Sequence, residues 1–139
     1  MYKRQALYNT DLLKQGGAAL NKAVISVPWH FADSKNQNFV ELARNLWGID
    51  VNWRTAMSYD AVQVLRLGRS IGKIAPSSGQ AGRVMLAKTL AGGNFTVSGA
   101  TGEIRFLSSG DRNSNVVLLQ IVPDTQSGAG YDFAPVSRF

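Results

Sequence analysis

Apolar residues recur at helical spacing in three stretches of the chain, at about 36–47, 57–71 and 79–90. This spacing predicts three amphipathic helices. Asparagine, serine or threonine precedes each stretch and glycine follows it within two residues, as is typical of helix caps. The side chains predicted to face the core are Phe39, Leu42, Ala43 and Leu46 in the first helix, Ala61, Val62 and Leu65 in the second, and Ala81, Val84 and Met85 in the third.

Extended segments are predicted on either side of these helices. Residues 23–29 form a short run rich in Val and Ile, which indicates a buried strand, and a brief helix is predicted before it at 10–17. From Phe95 onward the apolar period is two, and residues 102–122 are predicted to form a β-hairpin with Ser-Ser-Gly-Asp-Arg-Asn as its loop. Residues 124–139 are rich in Gly and Ser and are predicted to be a surface tail.

The order of these elements indicates an α/β protein that is part of a larger fold. One predicted strand precedes three consecutive helices, and only a hairpin follows them. A sheet that covers the apolar faces of three helices needs more strands than this. We therefore expect the chain to be a portion of a longer protein.

Composition favours a folded domain and leaves the nature of the partner open. The chain has 139 residues, of which 45% are hydrophobic, and it has no Cys that could form a disulfide or a Cys-based zinc site. The 15 Lys and Arg against 9 Asp and Glu give a net charge of +6, but the basic residues are scattered. A small basic nucleic-acid-binding domain is therefore the alternative interpretation, supported by net charge alone. No stretch is long and apolar enough to span a bilayer, and we expect no signal peptide within this chain.

Catalytic chemistry has little support in the sequence. His30 is the only His, Glu41 and Glu103 are the only Glu, and no spacing typical of a metal site occurs. The Gly-rich segments lack the patterns of phosphate-binding loops. We predict a protein that is not an enzyme and that has neither cofactor nor metal, and an enzyme that uses His30 is the least favoured hypothesis.

The segment 49–64, Ile-Asp-Val-Asn-Trp-Arg-Thr-Ala-Met-Ser-Tyr-Asp-Ala-Val-Gln-Val, is the most informative one. It places Trp53, Arg54 and Thr55 where an extended link enters a helix, and a helix start offers free N–H groups and a positive dipole end. The planar guanidinium of Arg54 suits a carboxylate. The alternative is that Arg54 pairs with a neighbouring acid such as Asp50.

Several motifs occur in the order found in one known family. The first are Leu-Tyr-Asn-Thr-Asp-Leu-Leu-Lys-Gln-Gly-Gly-Ala-Ala-Leu, Lys-Ala-Val-Ile-Ser-Val-Pro-Trp-His-Phe and Phe-Val-Glu-Leu-Ala-Arg-Asn-Leu-Trp-Gly. They are followed by the helix that contains Tyr-Asp-Ala and by the closing segment 95–122 with Gly-Glu-Ile-Arg-Phe, Gly-Asp-Arg and Asn-Val-Val-Leu-Leu-Gln-Ile-Val, so that the matches cover about residues 7–123. Together they resemble the C-terminal part of type I periplasmic substrate-binding proteins of the branched-chain amino acid or amide transporter kind. The resemblance implies a partial substrate-binding domain over 1–123, with three helices and a small sheet that ends in a hairpin.

In that family two α/β lobes close on a small polar solute such as an amino acid, and the loaded receptor docks on an ABC permease or serves as a sensor. The resemblance therefore implies a periplasmic or extracytoplasmic location and no nucleic-acid partner. The residues it implies for ligand binding are Arg54, Trp53, Thr55, Trp29, His30 and Tyr59. It also implies that most strands of the first lobe lie outside this sequence. We therefore expect a homo-oligomer, with the 23–29 strand or the hairpin reaching into a partner, unless the helices cover themselves against the hairpin.

Overall fold

The computed structural model describes residues 2–3 and 7–136 and confirms the α/β class. In chain order the regular elements are β1 (Tyr2–Lys3), α1 (Thr10–Gly16), β2 (Val24–Val27), α2 (Gln37–Trp47), α3 (Trp53–Ile71), α4 (Gly79–Leu90), β3 (Val97–Gly99), β4 (Gly102–Phe106), β5 (Arg112–Asn113), β6 (Val117–Pro123) and β7 (Tyr131–Pro135). Short 3₁₀ turns occur at Gly17–Leu20 and Phe31–Asp33. None of the helices in the described residues is both long and apolar enough to cross a membrane.

The chain divides into two compact units. The first unit contains the residues up to Asp33 and those from Asn115 onward, and the second contains Ser34–Ser114.

The first unit is built around a four-stranded sheet with the strand order β1-β2-β6-β7. Strand β1 is parallel to β2, whereas β2–β6 and β6–β7 are antiparallel pairs. Alternating residues of the central strands are buried, and the main core side chains are Leu13, Ile25, Val27, Trp29, Leu119, Ile121 and Phe133. The predicted short helix is confirmed as α1, and it is capped by Asn9, whose side chain accepts a hydrogen bond from the Leu12 amide.

Two expectations for the first unit need correction. Strand β2 pairs with β6 along its whole length and with β1 at Val24 and Ile25, so it is not a strand without neighbours in this chain. The surface-tail interpretation of 124–139 fails for Tyr131–Pro135, because these residues form β7 and pair with β6 from Leu119 to Pro123. The turn at Ser127–Gly130, where Gly130 has a φ of 72°, returns the chain for this pairing. Residues 137–139 of the predicted tail lie outside the described residues.

The second unit contains the three predicted helices, and all three are confirmed. Asn36 caps α2 through a hydrogen bond from the Phe39 amide, and Gly48 ends this helix in the left-handed conformation. Helix α3 starts at Trp53, earlier than expected, because Asn52 is its N-cap. Val64 of α3 packs with Phe95 and Ile104 in one apolar cluster, against which Leu67, Leu90, Val97 and Phe106 also pack.

The predicted buried faces are confirmed only for Phe39 and Ala43 of α2. In α2 the buried residues are Phe39, Val40 and Ala43, while Leu42 and Leu46 are exposed. In α3 the buried residues are Ala56, Asp60, Val64 and Gly68, while the predicted inner residues Ala61, Val62 and Leu65 are exposed. Helix α4 buries only Gly82 fully and leaves Ala81, Val84 and Met85 exposed. The apolar residues of each helix therefore extend around more of its circumference than the buried face requires.

The predicted hairpin over 102–122 is wrong in its second strand. Strand β4 does turn back through Gly110, but it pairs with β5, which is only Arg112–Asn113, and on its other side with β3. Residues of β6 pair instead with β2 and β7 in the sheet of the first unit. The loop chemistry indicated the turn correctly, whereas strand partners depend on contacts distant in sequence.

Candidate functional site

The start of α3 places three of the predicted ligand residues in one helical turn. Asn52 has an extended backbone, with φ −95° and ψ 177°, and its side chain accepts a hydrogen bond of 2.9 Å from the Arg54 amide. This is the geometry of an N-cap, which satisfies one of the four amides that a helix start leaves without intrahelical partners. Trp53, Arg54 and Thr55 follow directly in the first turn. The remaining first-turn amides and the positive end of the helix dipole favour a negative group here.

Trp53 and Arg54 interact with each other. The Arg54 guanidinium carbon lies 4.5 Å from the centroid of the Trp53 ring, which is the distance of a cation–π contact. The Arg54 side chain is exposed and forms no ion pair within the described part of the chain. The Trp53 indole Nε1 is buried and finds no acceptor among the described residues. The Arg54 guanidinium and the Trp53 indole Nε1, which belong to adjacent residues, thus have no acceptor in the part of the chain that the structure describes.

The alternative partner of Arg54 is engaged elsewhere. Asp50 accepts a hydrogen bond of 2.6 Å from Nε of Arg44, and the two side chains form an exposed ion pair. This hydrogen bond and the charge of Asp50 raise the pKa of Arg44. The interpretation that Arg54 pairs with Asp50 is therefore wrong.

Tyr59 lies one turn after Thr55, beside a hollow between α2 and α3. Its ring packs against that of Phe39 with 5.0 Å between centroids and 48° between planes. The hollow has a volume of about 220 Å³ and is lined by Asn36, Asn38, Phe39, Leu42, Ala43, Leu46, Trp47 and Tyr59. Tyr59 therefore belongs to this hollow and not to the first turn of α3, where the other three predicted residues of this unit lie.

Trp29 and His30, the two other predicted ligand residues, belong to the first unit. They follow β2 and are 4% and 3% exposed. The His30 ring packs on Phe31 at 4.4 Å and edge-on against Tyr8 at 5.8 Å, and its Nδ1 accepts a hydrogen bond from the Ala32 amide. These contacts are those of a core packing residue. A role of Trp29 and His30 in ligand binding stays a prediction.

A buried polar cluster in the second unit was not predicted from the sequence. The Asp60 carboxylate accepts hydrogen bonds of 2.5 Å from the Ala100 amide and the Thr101 hydroxyl, and it pairs with Nη1 of Arg112 at 3.1 Å. Arg112 also donates to the Thr101 hydroxyl. The side chain of Asp60 is 3% exposed, and a carboxylate buried this deeply requires such partners.

The cluster connects α3 with the small sheet through Asp60 and Arg112. Asp60 lies four residues after Ala56 and four before Val64, both buried. An acid at this spacing within a buried stripe is the sequence signal that could have identified it.

Comparison with solved structures shows what this fold resembles. The leucine-binding protein LivK from Thermotoga maritima MSB8 superimposes with a TM-score of 0.72 at 21% identity, over 97% of this chain and 36% of that one. A leucine-, isoleucine-, valine-, threonine- and alanine-binding protein from Brucella ovis matches with a TM-score of 0.70 at 15% identity, over 94% and 34%. A solute-binding protein of an ABC transporter from Rhodopseudomonas palustris BisB5, in complex with 3,4-dihydroxybenzoic acid, matches with a TM-score of 0.68 at 15% identity, over 99% and 36%.

These matches involve nearly all of this chain but only part of each matched protein. The chain spans about a third of the length of the solved proteins that it resembles. No protein-family model matches the sequence, and neither does any curated protein. At these identities the likeness establishes the fold.

Proposed function

Because the chain has the fold of part of a type I periplasmic binding protein, we propose that it is a portion of a solute-binding receptor whose ligand is a small, amino-acid-like carboxylate. The first turn of α3 is the element proposed to contact the ligand's carboxylate. The observation that carries the proposal is the pair of donors without an acceptor in the described residues, the Arg54 guanidinium and the Trp53 indole Nε1.

The chemistry of this turn supports a carboxylate ligand. A guanidinium stacked on an indole keeps its N–H groups free to bind a planar anion, and the stacking restricts the side chain before binding. The helix start adds a positive dipole end. The matched proteins are named for two classes of ligand, amino acids such as leucine and the aromatic acid 3,4-dihydroxybenzoic acid. Each of these ligands combines one carboxylate with a compact body. One anion site of this kind would suit both classes.

The wider proposal follows from the same fold. The receptor would work outside the cytoplasm, would deliver its solute to an ABC permease or act as a sensor module, and would carry out no catalysis and need no cofactor. Thr55 is proposed to bind the ligand beside Arg54, since both occupy the first turn of α3. Tyr59, Trp29 and His30 remain predicted ligand residues on the strength of the resemblance alone.

The proposal can be tested by nuclear magnetic resonance on the ¹⁵N-labelled chain. The chain contains three Trp, and the Trp53→Phe variant identifies which indole N–H signal belongs to Trp53. Titration with leucine should shift the Trp53 signal and leave that of Trp47 in place. Leucinamide is the matched control, because it retains the apolar side chain and the amine but lacks the carboxylate, and it should cause no shift.

The opposite results would overturn the proposal. These are a Trp53 signal that does not move with leucine or benzoate, or one that moves equally with leucinamide. A short single-stranded oligonucleotide tests the basic nucleic-acid alternative in the same experiment. Binding of the oligonucleotide that weakens steeply with added salt would favour that alternative.

A further inference from the structure

Residues 61–102 account for nearly all of the net positive charge of the chain. This range contains five basic residues and no Asp or Glu, so it carries a charge of +5 out of the total of +6. The five bases are Arg66, Arg69, Lys73, Arg83 and Lys88. They belong to the second half of α3, the loop after it and α4. The net charge is concentrated on these two helices because acids are absent from them.

The five bases have no acidic partner in the part of the chain that the structure describes. The ion pairs found there involve three other arginines, Arg44, Arg105 and Arg112. The hydrogen bonds recorded for the five bases reach neutral groups, which are the side chains of Gln63 and Gln80 and the carbonyl oxygen of Ile74. Their charges therefore remain uncompensated within this chain.

Two of the five bases have an ordinary structural role. Arg69 and Lys88 lie in the last turns of α3 and α4, where the negative end of the helix dipole favours a base. This role does not account for Arg66, Lys73 or Arg83. It also does not explain why the whole range 61–102 contains no acid. Most of the positive charge is thus available to an anionic partner.

The packing of α3 against α4 brings bases from both helices to one region of the second unit. A Cβ atom added at Gly72 would lie 2.9 Å from Oγ1 of Thr89, so the ends of the two helices touch at this point. Lys73 directly follows Gly72, and Lys88 directly precedes Thr89. Arg69 lies one turn before Lys73. The backbone positions of these three bases are therefore close together.

Exposed apolar side chains alternate with the bases on both helices. On α3, Val62 and Leu65 are 60% and 48% exposed, and on α4, Val84 and Met85 are 47% and 48% exposed. Val84 and Met85 lie between two of the bases in the sequence. We call the four apolar residues together with the five bases the α3–α4 surface. Exposed apolar groups that occur together in this way mark a site of interaction.

The composition of the α3–α4 surface favours an anionic lipid membrane as its partner. Anionic headgroups attract clustered Lys and Arg, whose long stems can lie along the interface while apolar side chains enter it. A second copy of the chain would oppose like charges at this surface. Single-stranded nucleic acid is bound through stacking on aromatic rings, and the only aromatic residue of 61–102 is Phe95, which is buried.

We propose that the α3–α4 surface binds the headgroup layer of an anionic membrane. The contact is peripheral, with Val84 and Met85 entering the interface and the bases pairing with lipid phosphates. Arg54 and the first turn of α3 are not part of this surface. The inference therefore does not depend on the carboxylate ligand proposed above.

Cosedimentation with large vesicles tests the proposal. The chain should bind vesicles of equal parts phosphatidylglycerol and phosphatidylcholine but not vesicles of phosphatidylcholine alone, and added salt should weaken the binding. Combining Arg83→Gln with Lys88→Gln should lower the partition coefficient about 25-fold, because each base near an anionic surface contributes about fivefold. The matched control combines Lys14→Gln with Lys35→Gln, which removes the same charge from exposed positions outside the surface and should bind nearly as the wild type does.

A fluorescent label separates a membrane from an acidic polymer, since the chain contains no Cys that would compete for it. A polarity-sensitive fluorophore on Met85→Cys should shift its emission to the blue when the phosphatidylglycerol vesicles are added. The same label on Thr125→Cys, an exposed position of the first unit, should not shift. Polyglutamate should leave both labels unchanged.

Three results would overturn the proposal. The first is a wild-type chain that does not bind the phosphatidylglycerol vesicles. The second is an equal loss of binding in the two double variants, which would show that net charge alone attracts the chain. The third is a Met85→Cys label that does not respond to the vesicles, or that responds equally to polyglutamate, which would assign the surface to an acidic polypeptide.

Discussion

Asp60 of α3 and Arg112 of β5 form a buried ion pair, with 3.1 Å between the carboxylate and the guanidinium. The two residues are 52 positions apart in the chain. The pair joins the longest helix to the short sheet, and the Ala100 amide and the Thr101 hydroxyl complete the coordination of the carboxylate. Removing one partner of such a buried pair destabilises the protein by more than the net stabilisation from the pair, because the other charge is then left buried without a partner.

We expect Asp60→Asn to destabilise the chain by about 3 kcal/mol. The asparagine keeps the size of the side chain but leaves the Arg112 charge, whose side chain is only 18% exposed, without its acid. Urea unfolding followed by circular dichroism measures the change. The matched control is Asp50→Asn, which breaks the exposed pair with Arg44 and should have little effect. Equal effects of the two substitutions would contradict the role assigned to Asp60.

Gly99 is close to the same carboxylate, and this proximity leads to a second prediction. A Cβ atom added at Gly99 would clash with Oδ1 of Asp60 and approach Cδ1 of Ile104 to 2.9 Å. We expect Gly99→Ala to cost about 1–3 kcal/mol of stability, the usual effect of overpacking a core. Gly93→Ala is the control, because a Cβ there meets nothing within 4 Å, and it should change stability by no more than about 0.5 kcal/mol. Thermal unfolding of the two variants side by side decides the matter.

The helices could be predicted from the sequence because their signals are local. Asn36 and Gly48 lie at the two ends of an apolar repeat, and both adopt the cap conformations that their residue types favour. The choice of buried face is not local. Helix α2 buries Val40 but exposes Leu46, although periodicity places Leu46 on the same stripe as the buried Phe39. Only the position of neighbouring elements decides which apolar residues a helix buries.

The candidate site also combines features that local sequence signals predict with features that depend on contacts distant in sequence. Arg54 was identified because the start of a helix can be recognised in sequence, and the structure places it in the first turn of α3. The stacking of Arg54 on Trp53 and the buried indole N–H depend on side-chain positions that no spacing rule gives. The ion pair of Asp60 could not be predicted either, because its partner Arg112 is brought near only by the folding of the sheet.

Strand β7 provides a third prediction, since it was not expected from the sequence. Phe133 is 6% exposed, and its ring lies 4.7 Å from that of Tyr8. If Tyr131–Pro135 is an integral strand, Phe133→Ala should destabilise the chain by about 3–5 kcal/mol, as expected for a buried Phe. Thr125→Ala, an exposed position in the same Gly- and Ser-rich segment, should be neutral. A neutral Phe133→Ala would restore the interpretation of this segment as a surface tail.

The last prediction concerns Arg54 and distinguishes the contribution of its charge to ligand affinity from that of the rest of α3. The Arg54→Gln variant retains a polar side chain that can rest on the Trp53 ring but removes the charge and the two-pronged donor. A hydrogen bond to a charged group is worth about 1.5–3 kcal/mol, so the affinity for leucine should fall roughly 10- to 150-fold. The measurement is the concentration dependence of the Trp53 indole signal.

Arg66→Gln is the control for Arg54→Gln, because Arg66 is an exposed arginine of the same helix whose guanidinium donates to Gln63. Its removal lowers the net charge by the same amount and should leave the affinity unchanged. If both variants lose affinity equally, the general positive charge of the chain attracts the ligand, and no specific contact with Arg54 is needed. If Arg54→Gln binds leucine as the wild type does, the first turn of α3 is not the carboxylate site. A loss confined to Arg54→Gln is the result that a directed guanidinium–carboxylate contact requires.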